Sequence, residues 1–95
     1  MVREEGLRVF YVYVLQNDAA ESGFYIGFSG NLRRRFTEHN SGQVHATRGR
    51  KWRLIYYESY LTESAARERE RVLKHDGRTR RYLMERLHQM LREGG

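Results

Sequence analysis

Two segments, Val9–Leu15 (VFYVYVL) and Phe24–Phe28 (FYIGF), decide how this chain folds. Both consist almost entirely of β-branched and aromatic residues, which favour strands, and the first is apolar enough to be buried on both faces. The polar stretch between them, residues 17–23 (NDAAESG), is typical of a turn. The two segments therefore predict an antiparallel hairpin.

Helical spacing and turn signals predict one more strand and three helices in the rest of the chain. Ser29, Gly30 or Asn31 can cap the first helix, which begins at about Leu32 and ends at Asn40. We read residues 43–51 as a loop. The remaining elements are a strand over Trp52–Tyr60, a helix over Glu63–His75 capped by Thr62 and broken by Asp76-Gly77, and a helix over about Thr79–Leu91. The residues expected to face inward from these helices are Leu32, Phe36 and His39, then Ala65, Ala66, Val72 and Leu73, then Leu83, Met84, Leu87 and Leu91.

The order β-β-α-β-α-α predicts an α+β fold, a small three-stranded antiparallel sheet flanked by helices. With 95 residues, the chain has room for a single domain over 1–95. It contains no cysteine, which excludes disulfides, zinc-thiolate sites and cysteine nucleophiles. Its longest apolar run is too short for a membrane span, and its charged N-terminus (MVREEGLR) lacks a signal-peptide core. We therefore expect a soluble cytoplasmic protein with no membrane partner.

The charge is strongly basic and concentrated in the middle of the chain. There are 18 Lys and Arg residues against 12 Asp and Glu, a formal net charge of +6. Between Arg33 and Arg81 there are 14 basic and 6 acidic residues, a local net charge of +8, so the rest of the chain carries a net charge of −2. Only Lys51 and Lys74 are lysines, and the guanidinium of arginine pairs bidentately with phosphate. This pattern favours a polyanionic partner such as nucleic acid, although a solvated basic surface would also explain it.

Three residues of the predicted hairpin are candidates for a site. Tyr13 and Tyr25 lie in the middle of the strands, where a tyrosine either fills the core or presents its hydroxyl to a phosphate or water. Gly27 weakens a strand, so its presence indicates a bulge or the close approach of another backbone or a ligand.

The first helix carries three consecutive arginines and a histidine on its apolar stripe. Arg35 flanks that stripe beside His39 and could reach a concave site, while Arg33 and Arg34 are solvated or steer phosphate. A lone histidine on an apolar face is usually structural. Because Arg35 precedes it by four residues, however, its protonated form is disfavoured, which suits a neutral acceptor.

Glu70 is the anomaly of the second helix, since it falls on the inward stripe between Ala66 and Leu73. Glu63 and Glu68 fall off that stripe and look like surface charges. A carboxylate in a core-facing position must be paired or protonated. It is therefore either the partner of an arginine or a ligand for Mg²⁺, which takes oxygen ligands and often only one or two carboxylates.

Further basic residues could contact phosphate or simply be solvated. Arg48, Arg50 and Lys51 belong to the basic loop. Arg78 lies at the start of the third helix, and the N-terminal end of a helix is the less favourable end for cations. The four histidines show no metal-ligand spacing, so we expect no zinc site.

Together these positions resemble the GIY-YIG nuclease superfamily, most closely its small stand-alone members that are similar to the GIY-YIG component of excinuclease ABC. The two defining segments are present as Tyr11-Val12-Tyr13, which departs from the literal motif at its first two positions, and Tyr25-Ile26-Gly27. The resemblance covers residues from about 10 to 87. The pattern continues with Ser29, Leu32, Arg35, His39-Asn40-Ser41-Gly42, Thr47, Gly49-Arg50, Trp52, Leu54, Tyr56-Tyr57-Glu58, Ala66, Glu70 and Leu73-Lys74.

The resemblance implies metal-dependent cleavage of DNA phosphodiester bonds by water, in DNA repair or recombination. It implies that Tyr13 holds or helps deprotonate the attacking water, Tyr25 and Arg35 stabilise the phosphate, and His39 supports proton transfer. Glu70 would hold one Mg²⁺ or Mn²⁺ ion. The residues expected to contact the phosphate backbone, with little readout of bases, are Arg33, Arg34, Arg48, Arg50, Lys51, Lys74 and Arg78.

Two other hypotheses fit the sequence. The chain could be a nucleic-acid-binding module of the same fold with weak or lost catalysis, or a nuclease subunit of a larger repair complex with a protein partner. No DNA-binding domain is appended to the predicted domain, which leaves the choice of substrate open.

Overall fold

The predicted hairpin forms, with β1 (Phe10–Asn17) antiparallel to β2 (Phe24–Ser29). On its other side β1 pairs antiparallel with β3 (Trp52–Tyr60), so the sheet order is β2-β1-β3. The computed structural model describes residues 8–17 and 23–94. Most of the predicted turn over 17–23 lies outside these ranges. The central position of β1 explains why every residue from 12 to 17 is buried.

Three helices complete the fold: α1 (Leu32–Asn40), α2 (Glu63–His75) and α3 (Gly77–Gly94). The side chain of Asn31 caps α1 by accepting from the Arg34 N–H, and that of Thr62 caps α2 by accepting from the Ala65 N–H. The α+β architecture predicted from the sequence is thereby confirmed.

The two faces of the sheet have different neighbours, because successive strand residues point to opposite sides. One face packs against α2 and α3 and forms the apolar core. The other face lies under α1 and carries Tyr13, whose ring contacts His39 of that helix. The buried core residues are Phe10, Val12, Val14, Ile26, Ala66, Leu73, Leu83 and Leu87.

Several local predictions were wrong. Residues 43–51 are not all loop, because His45–Thr47 form a 3₁₀ turn. Residues three apart lie on the same side of a 3₁₀ turn, so Val44 and Thr47 are buried together. The helix α3 begins at Gly77 instead of Thr79, since the Asp76 carboxylate accepts the N–H groups of residues 78 and 79 and so starts a new helix at once.

The inward faces of the helices also differ in detail from the prediction. Ala65 is exposed, because the helix presents Ala66 and Leu73 to the sheet and residue 65 turns away. Leu32 and Phe36 are half-buried, and only His39 of α1 is fully enclosed. The residues Val72, Met84 and Leu91, which were expected to face inward, are also half-buried.

Candidate active site

Tyr13 and Gly27 are direct partners in the β1–β2 register. The ring of Tyr13 lies across the glycine so closely that a Cβ atom added at residue 27 would overlap its ring and hydroxyl. The group that approaches Gly27 is therefore a side chain of this chain. The glycine allows the Tyr13 hydroxyl to extend over β2 toward α1.

The Tyr13 hydroxyl begins a buried chain of hydrogen bonds. It lies 2.7 Å from Nε2 of His39, whose Nδ1 lies 2.8 Å from Oγ1 of Thr47. The Thr47 hydroxyl donates in turn to the Val44 carbonyl at 3.4 Å. With that donation made, Thr47 accepts from Nδ1–H, and Nε2 accepts from the Tyr13 hydroxyl. The arrangement selects the Nδ1–H tautomer of a neutral imidazole.

The electrostatics around this series of hydrogen bonds favour neutral side chains at physiological pH. Burial, and then the nearby Arg35 charge, lower the pKa of His39 below its ordinary 6.5. Burial raises the pKa of Tyr13 to about 12, although Arg35 acts in the opposite direction. Both directions agree with the expectation of a neutral His39, and Tyr13 keeps its proton until another group takes it.

Tyr25 closes the other side of His39. Their ring centroids lie 4.9 Å apart at 63°, and Tyr25 meets the Trp52 ring at 6.3 Å. Trp52 is fixed by Asn40 at the end of α1, whose amide donates to the Trp52 carbonyl at 2.9 Å and accepts from its N–H at 2.8 Å. The Trp52 indole N–H also donates to the Thr47 carbonyl at 3.0 Å. Asn40 and Trp52 thus hold the 43–51 segment against the imidazole.

Arg35 supplies the positive charge nearest to the buried chain. It is half-buried, donates to Glu38 at 3.0 Å, and acts electrostatically on both Tyr13 and His39. As the helical spacing predicts, it flanks the apolar stripe of α1 on the side of the imidazole. A fixed guanidinium there can bind a phosphate oxygen bidentately.

Glu70 reaches the same region from α2. Its side chain is only 19% exposed, against 51% for Glu63 and 61% for Glu68 on the same helix. Its charge acts on the Tyr13 hydroxyl. Its partner is Lys74 at 2.9 Å, one helical turn away, whereas the ion-pair alternative had named an arginine. The Lys74 ammonium also lies 5.8 Å from the centre of the Tyr25 ring, which joins α2 to β2 at the site.

The structure thus brings together Tyr13, Tyr25, Arg35, His39 and Glu70, with Lys74 at the rim. The other predicted phosphate contacts lie elsewhere. Arg33 lines a cavity of about 580 Å³ with Tyr11 and Tyr57, and Arg34 lines a different cavity beside Arg8. The remaining ones are exposed residues of the 43–51 segment and the start of α3, namely Arg48, Arg50, Lys51 and Arg78.

Thr47 and Asn40 have positions at the site that sequence reasoning did not assign. Both residues belong to the motif pattern that resembles the GIY-YIG superfamily, and no other feature of the sequence pointed to them. Their function depends on how the 43–51 segment folds back on α1, and helical or strand periodicity does not report such a contact.

Comparison with known proteins identifies the arrangement. The family model described as the GIY-YIG catalytic domain matches residues 9–83. The chain belongs to the GIY-YIG family. This membership places it in a nuclease superfamily, as the resemblance of its motifs implied.

Relatives of this GIY-YIG chain occur in bacteria and archaea. A UPF0213 protein of Lactiplantibacillus plantarum is 38% identical over 76 residues, which cover 76% of this chain and 73% of the relative. A UPF0213 protein of Haloquadratum walsbyi is 34% identical over 86 residues, 88% of each chain.

The register explains the spacing of the two GIY-YIG segments. The last residue of the first segment, Tyr13, lies opposite the last residue of the second, Gly27. The tyrosine of the second segment, Tyr25, lies two residues further along, opposite Leu15, and on the same face of the sheet. A side chain at the glycine position would separate the Tyr13 hydroxyl from His39.

A divalent metal ion fits this donor set if a single carboxylate holds it. Within residues 8–17 and 23–94, there is no group of three or more His, Cys, Asp or Glu side chains that could hold a metal. Mg²⁺ commonly keeps several waters and binds through one or two carboxylates plus substrate phosphates. Glu70 meets that requirement, since it is partly buried, acts electrostatically on the Tyr13 hydroxyl and is paired with a half-exposed lysine.

Among the described residues, no helix is long and apolar enough to cross a membrane.

Proposed function

We propose that this GIY-YIG protein is an endonuclease that hydrolyses DNA phosphodiester bonds with one divalent metal ion, Mg²⁺ or Mn²⁺, in DNA repair or recombination. The observation that carries the proposal is that Tyr13, Arg35 and His39, from β1 and α1, meet at one hydroxyl oxygen, while the partly buried Glu70 carboxylate of α2 acts electrostatically on that hydroxyl. Each group has a separate task in phosphodiester hydrolysis.

The proton of the attacking water has a route through side chains of the chain. With its own proton donated to His39, the Tyr13 oxygen keeps a lone pair that can accept a hydrogen bond from water. As the water oxygen bonds to phosphorus, its proton passes to Tyr13 and the Tyr13 proton passes to Nε2 of His39. Thr47 keeps the imidazole in the tautomer that can receive it. This concerted exchange avoids a free phenolate, which a pKa of about 12 makes scarce at neutral pH.

The other groups act on the phosphate. Negative charge grows on the phosphate oxygens as the bond to the leaving oxygen breaks, and a guanidinium already in place at Arg35 stabilises that charge. Glu70 would hold the metal ion. When bound, such an ion stabilises the charge on the phosphate and on the leaving oxygen. The leaving oxygen takes a proton from solvent.

Access to Tyr13 requires a movement at the rim, since the residue is only 1% exposed. Lys74 is 40% exposed and held by a single ion pair to Glu70. An arriving phosphate can draw the ammonium away from Glu70, because exposed ion pairs are weak. The same movement frees the carboxylate and uncovers the Tyr25 side of the site.

The test compares Glu70→Gln with Glu68→Gln, a glutamate of the same helix that is exposed and paired with Arg71. Wild-type protein and both variants are incubated with supercoiled plasmid, single-stranded DNA and a branched oligonucleotide, in Mg²⁺, Mn²⁺ or EDTA. We expect metal-dependent cleavage that Glu70→Gln lowers on the order of a hundredfold or more and Glu68→Gln leaves unchanged.

The same experiment separates the two other hypotheses. Salt-sensitive DNA binding without cleavage by the wild type would contradict the enzyme proposal and favour a binding module. Cleavage that appears only after a stoichiometric protein partner is added would favour a subunit of a repair complex.

A further inference from the structure

A cluster of three arginines lies away from the catalytic groups, at the far end of β2. Arg8, Arg34 and Arg67 come from three separate parts of the chain and line one cavity of about 380 Å³, which we name the arginine cavity. Glu63 is the acidic residue in its lining, so the formal charge of the lining is 3 − 1 = +2. The catalytic mechanism uses none of these residues.

The aromatic floor of the arginine cavity orients its guanidinium groups. The rings of Phe10 and Phe28 stack with centroids 6.3 Å apart. The Arg67 guanidinium lies 4.2 Å above the Phe28 ring, and that of Arg8 lies 5.1 Å from the Phe10 ring. Cation–π contacts hold a guanidinium in place without neutralising it. The cavity therefore presents positive charge that is already positioned.

The acidic neighbours of the arginine cavity neutralise it weakly. Arg67 pairs with Glu63 at 2.7 Å, but the two side chains are 58% and 51% exposed. Arg34 is 70% exposed and 3.6 Å from Glu38. Exposed pairs of this kind are worth little and exchange readily for a stronger anion. A phosphate, which accepts several charge-assisted hydrogen bonds from arginine, is such an anion.

The position of the cavity relates it to the candidate active site. The N-cap of α1, Asn31, and the first residue of α2, Glu63, line it, and both helices run toward the catalytic groups. From Asn31 to Arg35 α1 advances about 6 Å, and from Glu63 to Glu70 α2 advances about 10 Å, at ~1.5 Å per residue. From Gly30 back to Tyr25 the extended chain covers about 17 Å at ~3.3 Å per residue. Since phosphates of one DNA strand repeat every ~3.4 Å along the duplex axis, the separation equals about two to five nucleotides.

We infer that the arginine cavity binds a backbone phosphate of the same DNA, two to five nucleotides from the bond that is cut. The inference rests on the proposed function for its substrate and extends it to a second contact that fixes the direction of the DNA along β2. It adds Arg8 and Arg67 to the DNA-binding residues and gives Arg34 a defined site.

The test is a series of single-stranded oligonucleotides from 2 to 20 nucleotides, with dissociation constants measured in EDTA so that no DNA is cut. Arg67→Gln is compared with the wild type, and Arg71→Gln is the matched control. Arg71 lies one turn further along α2, is 60% exposed and pairs with Glu68, yet it lines no part of the arginine cavity. The readout at each length is the dissociation constant of the variant divided by that of the wild type. Longer DNA offers more positions for binding, but this statistical gain is the same for both proteins and cancels in the ratio.

We expect the Arg67→Gln ratio to be near one on the dinucleotide, which carries a single backbone phosphate and cannot occupy both sites, and to rise to roughly tenfold on the longest strands. The slope of log K against log salt should fall by about 0.7 on the long strands only. The Arg71→Gln ratio should not depend on length. An Arg67→Gln ratio that stays constant over the series would overturn the inference and leave the cavity to another anion, such as an acidic peptide.

Cleavage measured separately on a long duplex distinguishes the two proposals. Cleavage by the wild type together with a flat ratio refutes the second phosphate site alone. A ratio that rises with length in a protein that cuts no DNA refutes the enzyme proposal and retains the second phosphate contact.

Discussion

The hydroxyl oxygen of Tyr13 lies 2.7 Å from Nε2 of His39, and both residues are buried, at 1% and 0% exposure. Burial shifts the pKa of the tyrosine up and that of the histidine down, so each favours its neutral form. The pair therefore keeps the proton on the tyrosine oxygen, hydrogen-bonded to an unprotonated histidine nitrogen. A base-assisted hydrolysis needs this arrangement across the neutral pH range.

The first prediction concerns pH. Because the folded state lowers the pKa of His39, the unfolded state binds more protons between the folded pKa and 6.5. Stability from this group is therefore complete above about 6.5 and is lost as pH falls through that window. We expect the melting temperature to fall between pH 7 and pH 5, and to fall less in His39→Gln. Cleavage by the wild type should be retained through most of that window and lost at its lower end, as pH falls through the folded pKa and the imidazole of the folded protein takes a proton.

Calorimetry at a series of pH values measures the first effect, and initial cleavage rates measure the second. A His39→Gln variant that keeps the full acid sensitivity of the wild type would contradict the assignment to His39. A matched variant at the exposed His45 should behave as the wild type.

Much of this site could be predicted because it follows the periodicity of single elements. His39 and Glu70 both interrupt apolar helical stripes, and residues three or four apart on a helix share a face. The same spacing accounts for Lys74 as the partner of Glu70, where the ion-pair alternative had named an arginine. The sequence signal of Gly27 was likewise local, since a glycine inside a strand indicates a close approach.

Contacts that depend on the path of an irregular segment could not be predicted in this way. Thr47 reaches His39 only because a 3₁₀ turn buries it with Val44, and Asn40 reaches Trp52 across twelve positions of the chain. The arginine cavity joins residues from three parts of the chain and has no sequence period at all.

The second prediction concerns Gly27→Ala. The added Cβ would overlap the Tyr13 ring, so either the ring or β2 must shift. We expect a loss of about 1–3 kcal/mol in the free energy of unfolding, typical of overpacking, together with loss of cleavage. In a Tyr13→Ala background the same change should cost much less, because the overlapping ring is gone. Gly77→Ala is the control, since its Cβ would meet only Arg80 at 3.8 Å. Equal cost of Gly27→Ala in both backgrounds would refute the steric explanation.

The third prediction concerns Thr47→Val, which keeps the shape of the side chain and removes its hydroxyl. The Nδ1–H of His39 would then be buried without an acceptor, at a cost of about 1–3 kcal/mol. We expect the variant to be less stable and slower in cleavage, and Thr47→Ser to restore both. Nitrogen NMR of the imidazole should report the Nδ1–H tautomer in the wild type and in Thr47→Ser. An Nε2–H tautomer in the wild type would refute the proposed direction of the proton chain.

The fourth prediction concerns Asn40→Ala, which removes both hydrogen bonds between α1 and the Trp52 backbone. We expect a loss of about 1–3 kcal/mol in the free energy of unfolding, since two partly buried backbone groups lose their partners. Trp52 is the only tryptophan of the chain, so its emission should shift to the red as the indole gains water. Thr62→Ala is the control, because it removes the cap of α2 at about 1 kcal/mol and leaves Trp52 untouched. Cleavage should fall in Asn40→Ala and remain in Thr62→Ala, because only Asn40 holds Trp52 and the Thr47 segment against His39. An unshifted emission spectrum in a destabilised Asn40→Ala protein would show that Asn40 stabilises the fold without positioning the site.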